Sequence, residues 1–288
     1  VMKYLFTFIS GNALEAADNG GFFSSFIGYD AGSLSSTIFS LNGPTPWFIL
    51  FVLATTIVVI FGVEKGIEKA SRIMMPILAI LAIVIAIYSL TIPGALQGLK
   101  YYILPDFSQF SVSTVLGAMG QMFYSMSLAM GIMITYGSYM QKENLLEHSV
   151  TQIEIFDTLF AFVAGLMIIP AVFAFSGGDP DTLQAGPALM FITIPKVFAS
   201  MGLGTVVGVL FFVLVLFAAV TSSIALTESA VSTFEDELGW DRKKATVLVG
   251  VIMVALGTLS SLGYGPLAGV TVIGMQFLDF FDFLTNSV

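Results

Sequence analysis

The chain has 288 residues, of which 57% are apolar and 10% are charged, and its formal net charge is −9. About a quarter of the residues of a soluble domain are charged, so this composition excludes an ordinary soluble protein and predicts an integral membrane protein. The sequence contains no basic patch for nucleic acid, no phosphate-binding glycine loop and no paired acid and base or nucleophile typical of an enzyme.

Apolar runs long enough to cross a hydrocarbon core of ~30 Å recur along the chain. Each run is continuous and not alternating, so the spans are predicted to be helices and the fold class all-α. The predicted spans are residues 46–63, 73–93, 113–140, 153–176, 203–234, 245–263 and 270–288, with a partial one at the start. Because the chain begins and stops within apolar stretches, we expect it to be an internal fragment of a longer protein.

Basic residues predict which side of the membrane each connection faces. Seven of the ten Lys and Arg residues fall in alternate short connections, which are 64–72, 140–152 and 235–245. The positive-inside rule makes these connections cytoplasmic. The outer segments are then 10–45, 94–112 and 177–202. Cysteines and Asn-x-Ser/Thr sequons are absent, which favours a multi-pass protein of a plasma membrane, the bacterial inner membrane in particular.

Three groups of polar residues lie inside predicted spans, where they are costly and indicate function. The first is "YSMSLAMG", residues 124–131. As one helix, the span 113–140 would be about 42 Å long, which tilt alone could accommodate. The alternative is a helix interrupted between Ser125 and Gly131, whose freed backbone carbonyls act as ligands.

The second group is the row of hydroxyls Thr221, Ser222 and Ser223, with Glu228 following on the same helical face as Thr221. Hydroxyls in a membrane helix commonly support close packing or bond back to the backbone. They also suit a hard cation such as sodium, which takes oxygen ligands. Both interpretations are open from the residues alone.

The third polar position is Asp157, which is followed by 21 uncharged residues and is therefore expected inside the membrane. A central Asp costs about 2.5–3.5 kcal/mol, and a neighbouring cation would offset that cost. If the span begins later than predicted, Asp157 and Glu154 are acids of the membrane interface.

These residues belong to longer motifs. In chain order the motifs are "GVEKGIEKASRIMMP", "GQMFYSMSLAMGIMITYGSYM", "AGLMIIPAVFAF", "FAAVTSSIAL" and "FEDELGWDRKKA". Together they resemble the bacterial branch of the neurotransmitter:sodium symporter family over essentially the whole chain. The resemblance implies a multi-pass, leucine-transporter-like helical bundle, with two five-helix repeats of inverted topology and two helices unwound at mid-membrane.

The resemblance implies one transporter domain, 1–288, that runs from the end of the family's third helix to the start of its tenth. Residues 1–112 would be the remainder of the first repeat, with the end of helix three, an outer loop and helices four and five. Residues 113–288 would be the second repeat, from helix six to the start of helix ten.

The resemblance also implies a substrate pocket. Its residues would be Tyr124, Ser125, Ser127, Met130, Ser222 and Leu226. Tyr124 takes the place of an aromatic lid that closes over substrate. Many members have Phe where this chain has the flexible Met130, so the size of the pocket and the identity of the substrate stay open.

Two sodium sites are implied in the same way. One would use the Ala218 carbonyl with the Thr221 and Ser222 hydroxyls. The other would use Ser125, where Thr is common, and Asp157, where many members have Asn. The remaining ligands of the first site would belong to a helix that this sequence does not contain.

The Asp at 157 is informative about chloride. Chloride-dependent members of the family bind an anion beside one sodium ion, whereas bacterial members often carry a built-in carboxylate instead. We expect Asp157, near Gln121 and Ser125, to supply that charge and to make transport independent of chloride.

Two acids match the gates of the family. Asp282 matches an acid that pairs with an arginine across the outer vestibule, and Asp236 matches one that pairs with an arginine on the cytoplasmic side. Tyr124 would complete the outer gate. Both arginines would lie outside this sequence.

The sequence therefore predicts a sodium-coupled symporter of an amino acid or a related amine. Its predicted partners are the small-molecule substrate, sodium and the lipid bilayer, without nucleic acid, and its oligomeric state is open. The alternatives are a sodium symporter of the same architecture for another small solute, or a membrane protein that acts as a channel or as a non-transporting amino-acid sensor.

Overall fold

The computed structural model describes residues 1–18, 20–28, 42–176 and 186–286. Within these ranges the chain consists of helices joined by turns, and the only strand-like pairing is one bridge between Val272 and Met275. The predicted all-α fold is confirmed. Parts of two predicted outer segments, 29–41 and 177–185, lie outside the described residues.

The helices follow one another along the whole described chain. They are α1 (Met2–Ile9), α2 (Ala13–Ala16), α3 (Gly21–Ile27), α4 (Pro44–Ile60), α5 (Val63–Leu90), α6 (Ala95–Ile103), α7 (Val112–Ser125), α8 (Ile132–Ser138), α9 (Leu146–Phe175), α10 (Gly186–Ala199), α11 (Gly204–Leu238), α12 (Arg242–Gly263) and α13 (Phe277–Asn286). In this described part, α5, α9, α11 and α12 are long and apolar enough to cross a membrane, and α4 is a shorter apolar helix.

The last predicted span is wrong in its extent. It was predicted for 270–288, but α13 begins only at Phe277. Before it, Ile273 and Gly274 have φ angles of 53° and 78°, in the left-handed region that a right-handed helix cannot contain. The chain therefore turns back on itself in this segment before the final helix starts.

Two glycines allow neighbouring helices of the bundle to pack in close contact. Between membrane helices, packing and hydrogen bonds replace the hydrophobic effect as the main attraction, and small residues allow close approach. A side chain at Gly208 would overlap the Phe8 ring, and one at Gly257 would overlap the Phe48 ring. These glycines bring α11 against α1 and α12 against α4.

Helix α11 connects the two apolar cores. Its first half, with Phe211 and Phe212, packs in a cluster with residues of α1, α5, α9 and α10. Its second half, with Ile224 and Val231, packs in another with residues of α4, α5 and α12. The three consecutive hydroxyls lie on α11 where the first cluster gives way to the second.

Candidate functional site

The helix is interrupted at the stretch 124–131. Helix α7 ends at Ser125 and α8 begins at Ile132. Between them Ser127, Ala129 and Gly131 have φ angles of 55°, 64° and 75°. Alternate residues in the left-handed region cannot continue a right-handed helix. Of the two sequence alternatives, the interrupted helix is therefore the correct one.

The interruption leaves main-chain carbonyls available. The amides of Ser127 and Leu128 donate back to the carbonyls of Tyr124 and Phe123 at 3.0 and 2.9 Å, so α7 closes with local turns. Within the described part of the chain, the carbonyls of residues 125–129 accept no backbone hydrogen bond. Unsatisfied carbonyls inside a membrane protein are tolerated where they line a cavity or hold an ion.

Ser125, the last residue of α7, contacts Asp157 directly. Its hydroxyl donates to the Asp157 carboxylate with an Oγ–Oδ1 distance of 2.6 Å. Asp157 is half-buried and lies about 17 Å along α9 from the first residue of that helix, Leu146. Helix α9 begins seven residues before the predicted span, and the depth of Asp157 in the membrane stays a prediction. The two predicted residues of the second sodium site are brought together.

A cleft of about 650 Å³ opens beside the interruption. Its lining includes four predicted site residues, Gln121, Tyr124, Met130 and Asp282. Asp282 comes from α13 and the other three from α7 and the interruption. Gln121 lies one helical turn before Ser125, on the same face of α7. The other lining residues are Gly120, Phe123, Leu128, Ala129 and Thr285, so the wall combines polar and apolar groups in similar measure.

Helix α11 lies beside the interruption, and its residues are not part of the cleft lining. Ser222 and Leu226 are exposed and share a helical face with Ser229, at spacings of four and three residues. The Ser229 hydroxyl donates to the Met130 carbonyl at 3.4 Å. This contact places the predicted substrate residues of α11 along the edge of the interrupted helix. Ser127 is half-buried and is not part of the cleft lining.

The predicted oxygens of the first sodium site lie within one turn of α11. The Thr221 hydroxyl is 3.0 Å from the carbonyls of both Ala218 and Phe217, to which it donates. Ser222 lies next to it on the exposed side. Thr221 thus bonds back to its own backbone, as the packing interpretation predicts. The set of a carbonyl and two hydroxyls also fits a hard, weakly charged cation.

Sequence reasoning missed a buried ion pair. Glu228 has no exposed side-chain surface, and its carboxylate accepts from the Arg242 guanidinium at 2.5 and 3.1 Å and from the Tyr139 hydroxyl at 2.7 Å. Arg242 also donates to the Val59 carbonyl, at the end of α4. These contacts join four elements of the bundle. The sequence contained a signal for this pair, because Glu228 lies in an apolar span and an acid there requires a partner.

The predicted cytoplasmic gate residue lies just outside this network. Arg242 makes a further ion pair with Glu235 at 3.1 Å. Asp236, the next residue, is exposed and lies about 21 Å along α11 from Ser222. The gate role of Asp236 therefore stays a prediction.

Comparison with known proteins identifies the family. The model of the "Sodium:neurotransmitter symporter family" matches residues 24–288. The uncharacterized sodium-dependent transporter YhdH of Bacillus subtilis is 34% identical over 290 residues, which cover 100% of this chain and 61% of YhdH. An uncharacterized sodium-dependent transporter of Haemophilus influenzae is 35% identical over 241 residues, which cover 83% of this chain and 52% of that protein.

A solved structure is similar in both fold and sequence. The crystal structure of MhsT in complex with L-phenylalanine has a TM-score of 0.83 and 40% identity, and the match covers 100% of this chain and 63% of MhsT. The present chain thus spans about half to three fifths of the length of these relatives. Its fold is that of a leucine-transporter-like helical bundle, and its relatives are transporters and not enzymes. The chain belongs to the sodium:neurotransmitter symporter family.

Proposed function

We propose that the complete polypeptide carrying this sequence is a sodium-coupled symporter of an amino acid. The observation that carries the proposal is the contact between Ser125 and Asp157 beside a helix interruption with free carbonyls. Oxygen atoms of this kind are the ligands of hard cations. The proposal is supported by the names of the two bacterial relatives, which are sodium-dependent transporters, and by the phenylalanine bound to MhsT.

Two sodium ions are proposed to bind as cargo. One would take oxygens from Ser125 and Asp157, and the other from Ala218, Thr221 and Ser222. Each ion moving inward gains about 2.3 kcal/mol per 100 mV. At a membrane potential of about 100 mV, two ions would therefore supply ~4.6 kcal/mol. This free energy corresponds to roughly a thousandfold accumulation of a net-neutral solute.

The substrate is proposed to bind between the interruption and α11. Its carboxylate would meet one sodium ion and backbone amides near the interruption, while its side chain would lie in the cleft. Phe123, Leu128 and Met130 form the apolar part of this lining, which also contains polar residues, so the class of substrate side chain stays open. Ser127, Ser222 and Leu226 are proposed to belong to the same pocket.

The gates are proposed on the same basis. Tyr124 would close over the substrate, and Asp282, which lines the same cleft, would take part in the outer gate. Asp236 would act on the cytoplasmic side.

The division into two inverted repeats at residue 113 and the location in a bacterial inner membrane are also proposals.

Transport is proposed to be independent of chloride because the Asp157 carboxylate supplies a negative charge next to one sodium ion. Gln121, on the same face of α7 as Ser125, would lie near that charge. Replacing Asp157 by Asn or Ser removes the charge, and the variant should then require chloride for sodium-coupled uptake. Uptake by the variant that persists without any new chloride requirement contradicts this assignment.

The function is tested by uptake into proteoliposomes of the complete polypeptide, with a sodium gradient and a labelled amino acid. Competition by each unlabelled amino acid in turn identifies the substrate. Accumulation that depends on sodium supports the proposal. Binding of an amino acid without accumulation indicates a sensor, current without fixed stoichiometry indicates a channel, and sodium-dependent uptake of a different solute indicates a symporter of another substrate class.

A further inference from the structure

The three consecutive hydroxyls of α11 cannot all face one site. Successive residues of an α-helix are separated by about 100°, so Thr221, Ser222 and Ser223 are spread over about 200° of the helix surface. Thr221 bonds to carbonyls of its own helix, and Ser222 is exposed. Ser223 points elsewhere, and its hydroxyl accepts a hydrogen bond from the Thr55 hydroxyl of α4 at 3.2 Å.

The Thr55 hydroxyl is buried, which restricts the hydrogen-bond partners that it can reach. Its side chain has no exposed surface, and its other hydrogen-bond acceptor is the Phe51 carbonyl of its own helix, also at 3.2 Å. The surrounding contact between α4 and α11 is apolar and includes Val59 and Ile224. A polar pair in an apolar helix contact is suited to fixing the register and rotation of one helix on another.

The backbone at Ser223 is tied as well. The Thr227 hydroxyl donates to the Ser223 carbonyl at 2.7 Å and lies 3.4 Å from the Met253 sulfur of α12. The turn of α11 that carries Ala218 and Thr221 is therefore held on the side facing α4 and α12. Ser222, about 100° around the helix from Ser223, is exposed.

We propose that Thr55 and Ser223 form a positioning pair, which holds this turn of α11 so that the Ala218, Thr221 and Ser222 oxygens lie at the spacing a sodium ion requires. The inference rests on the proposed sodium function and adds two residues that are not themselves ion ligands. Coordination of a small cation depends on oxygen positions within a few tenths of an ångström, so a small rotation of the turn changes the affinity for sodium.

The test is Thr55→Val in the complete polypeptide, because valine keeps the shape of threonine and removes the hydroxyl. The sodium concentration for half-maximal substrate binding should rise by roughly threefold to tenfold, the effect of losing one interhelical hydrogen bond. Thr55→Ser keeps the hydroxyl and should restore the original value. Sodium-dependent protection against thermal unfolding gives a second readout that does not depend on transport.

The matched control is Thr56→Val. Thr56 is the neighbouring residue, but its hydroxyl donates to the Val52 carbonyl of its own helix at 2.7 Å. This variant should keep the original sodium dependence. If Thr55→Val lowers the unfolding temperature while its half-saturating sodium concentration stays unchanged, the pair is merely structural and the inference is wrong.

A second variant covers the case in which Thr55→Val does not fold. Ser223→Ala removes the acceptor on the other helix and should raise the half-saturating sodium concentration in the same direction. An unchanged value contradicts the inference. The failures of the two proposals can be distinguished. If Thr55→Val has the same half-saturating sodium concentration as the protein without the substitution, the positioning pair alone is wrong. If the protein without the substitution shows no sodium dependence, the proposed function is wrong and the pair with it.

Discussion

Two polar regions of α11 differ in how their polar atoms are satisfied. Glu228 is fully buried, and both of its oxygens accept from Arg242 while one also accepts from Tyr139. About two turns earlier, the Thr221 hydroxyl bonds, within the described part of the chain, only to carbonyls of its own helix, and Ser222 is exposed. The polar group that holds helices together is saturated by protein, whereas the groups proposed to bind sodium keep oxygens that can accept a ligand.

The same contrast distinguishes α7 from α12. Helix α12 begins with Arg242, which the protein surrounds with a carbonyl and two carboxylates. Helix α7 ends at Ser125, beyond which free carbonyls and one carboxylate lie beside an open cleft. Substitutions in the saturated region should therefore mainly affect stability, and substitutions in the open region should mainly affect sodium and substrate.

The largest effect on stability is expected for Glu228→Ala. Breaking a buried ion pair by removing one partner costs about 3–5 kcal/mol. Here, among the described residues, Arg242 would keep only Glu235 as a charged partner, while the Tyr139 hydroxyl would lose its acceptor. The midpoint of thermal unfolding in detergent should fall accordingly. Glu235→Ala is the matched control, because Glu235 binds the same guanidinium with a side chain that is 26% exposed. Its loss should cost about 1 kcal/mol or less, and equal losses for both variants would contradict the contrast.

An intermediate effect is expected for Gly131→Ala at the interruption. Gly131 has a φ of 75°, and a Cβ there would lie 2.9 Å from the Ser229 hydroxyl. The left-handed conformation alone costs about 1–2 kcal/mol for a residue with a side chain. Gly137→Ala, in α8 with no atom within 4 Å of the added carbon, should instead stabilise by about 0.5–1 kcal/mol. If Gly131→Ala and Gly137→Ala shift the unfolding midpoint in the same direction, the interrupted geometry at Gly131 is contradicted.

The smallest effect is expected for Ala129→Gly. Ala129 has a φ of 64°, so glycine relieves left-handed strain of about 1–2 kcal/mol but increases the freedom of the unfolded chain by about 0.4–1 kcal/mol. A net stabilisation of about 1 kcal/mol or less should appear in the unfolding midpoint. Ala219→Gly, within the continuous helix α11, should lower the free energy of unfolding by about 1 kcal/mol. If this variant is stabilised as well, the effect at Ala129 does not come from its left-handed conformation.

Apolar runs and backbone chemistry were sufficient to predict much of the fold. Five predicted spans correspond to α4, α5, α9, α11 and α12, although α5 and α9 begin ten and seven residues earlier than predicted. Continuous apolar runs in lipid have few structures other than helices. The interruption was one of two alternatives, and length alone could not decide between tilt and a break. The left-handed angles at Ser127 and Ala129 decide it, and neither residue type signals such angles in a sequence.

What could not be predicted depends on contacts between distant segments. Helix α10 has 14 residues from 186 to 199, too few to cross the membrane, so no run of spanning length distinguishes it from the outer connection. Glu228 and Arg242 are separated by the chain reversal between α11 and α12. Helical periodicity assigns residues to faces of one helix, but it does not identify the neighbour that each face meets.

The central claim is that the oxygens at the interruption bind sodium. The most direct measurement is the thermal unfolding midpoint of the complete polypeptide as sodium replaces potassium at constant chloride and ionic strength, since a ligand that binds the folded state stabilises it. The midpoint should rise with sodium in the unaltered protein, and Asp157→Ala should lose much of that rise. Glu228→Gln should lower the midpoint but keep its dependence on sodium. A sodium response in Asp157→Ala equal to that of the unaltered protein would contradict the claim.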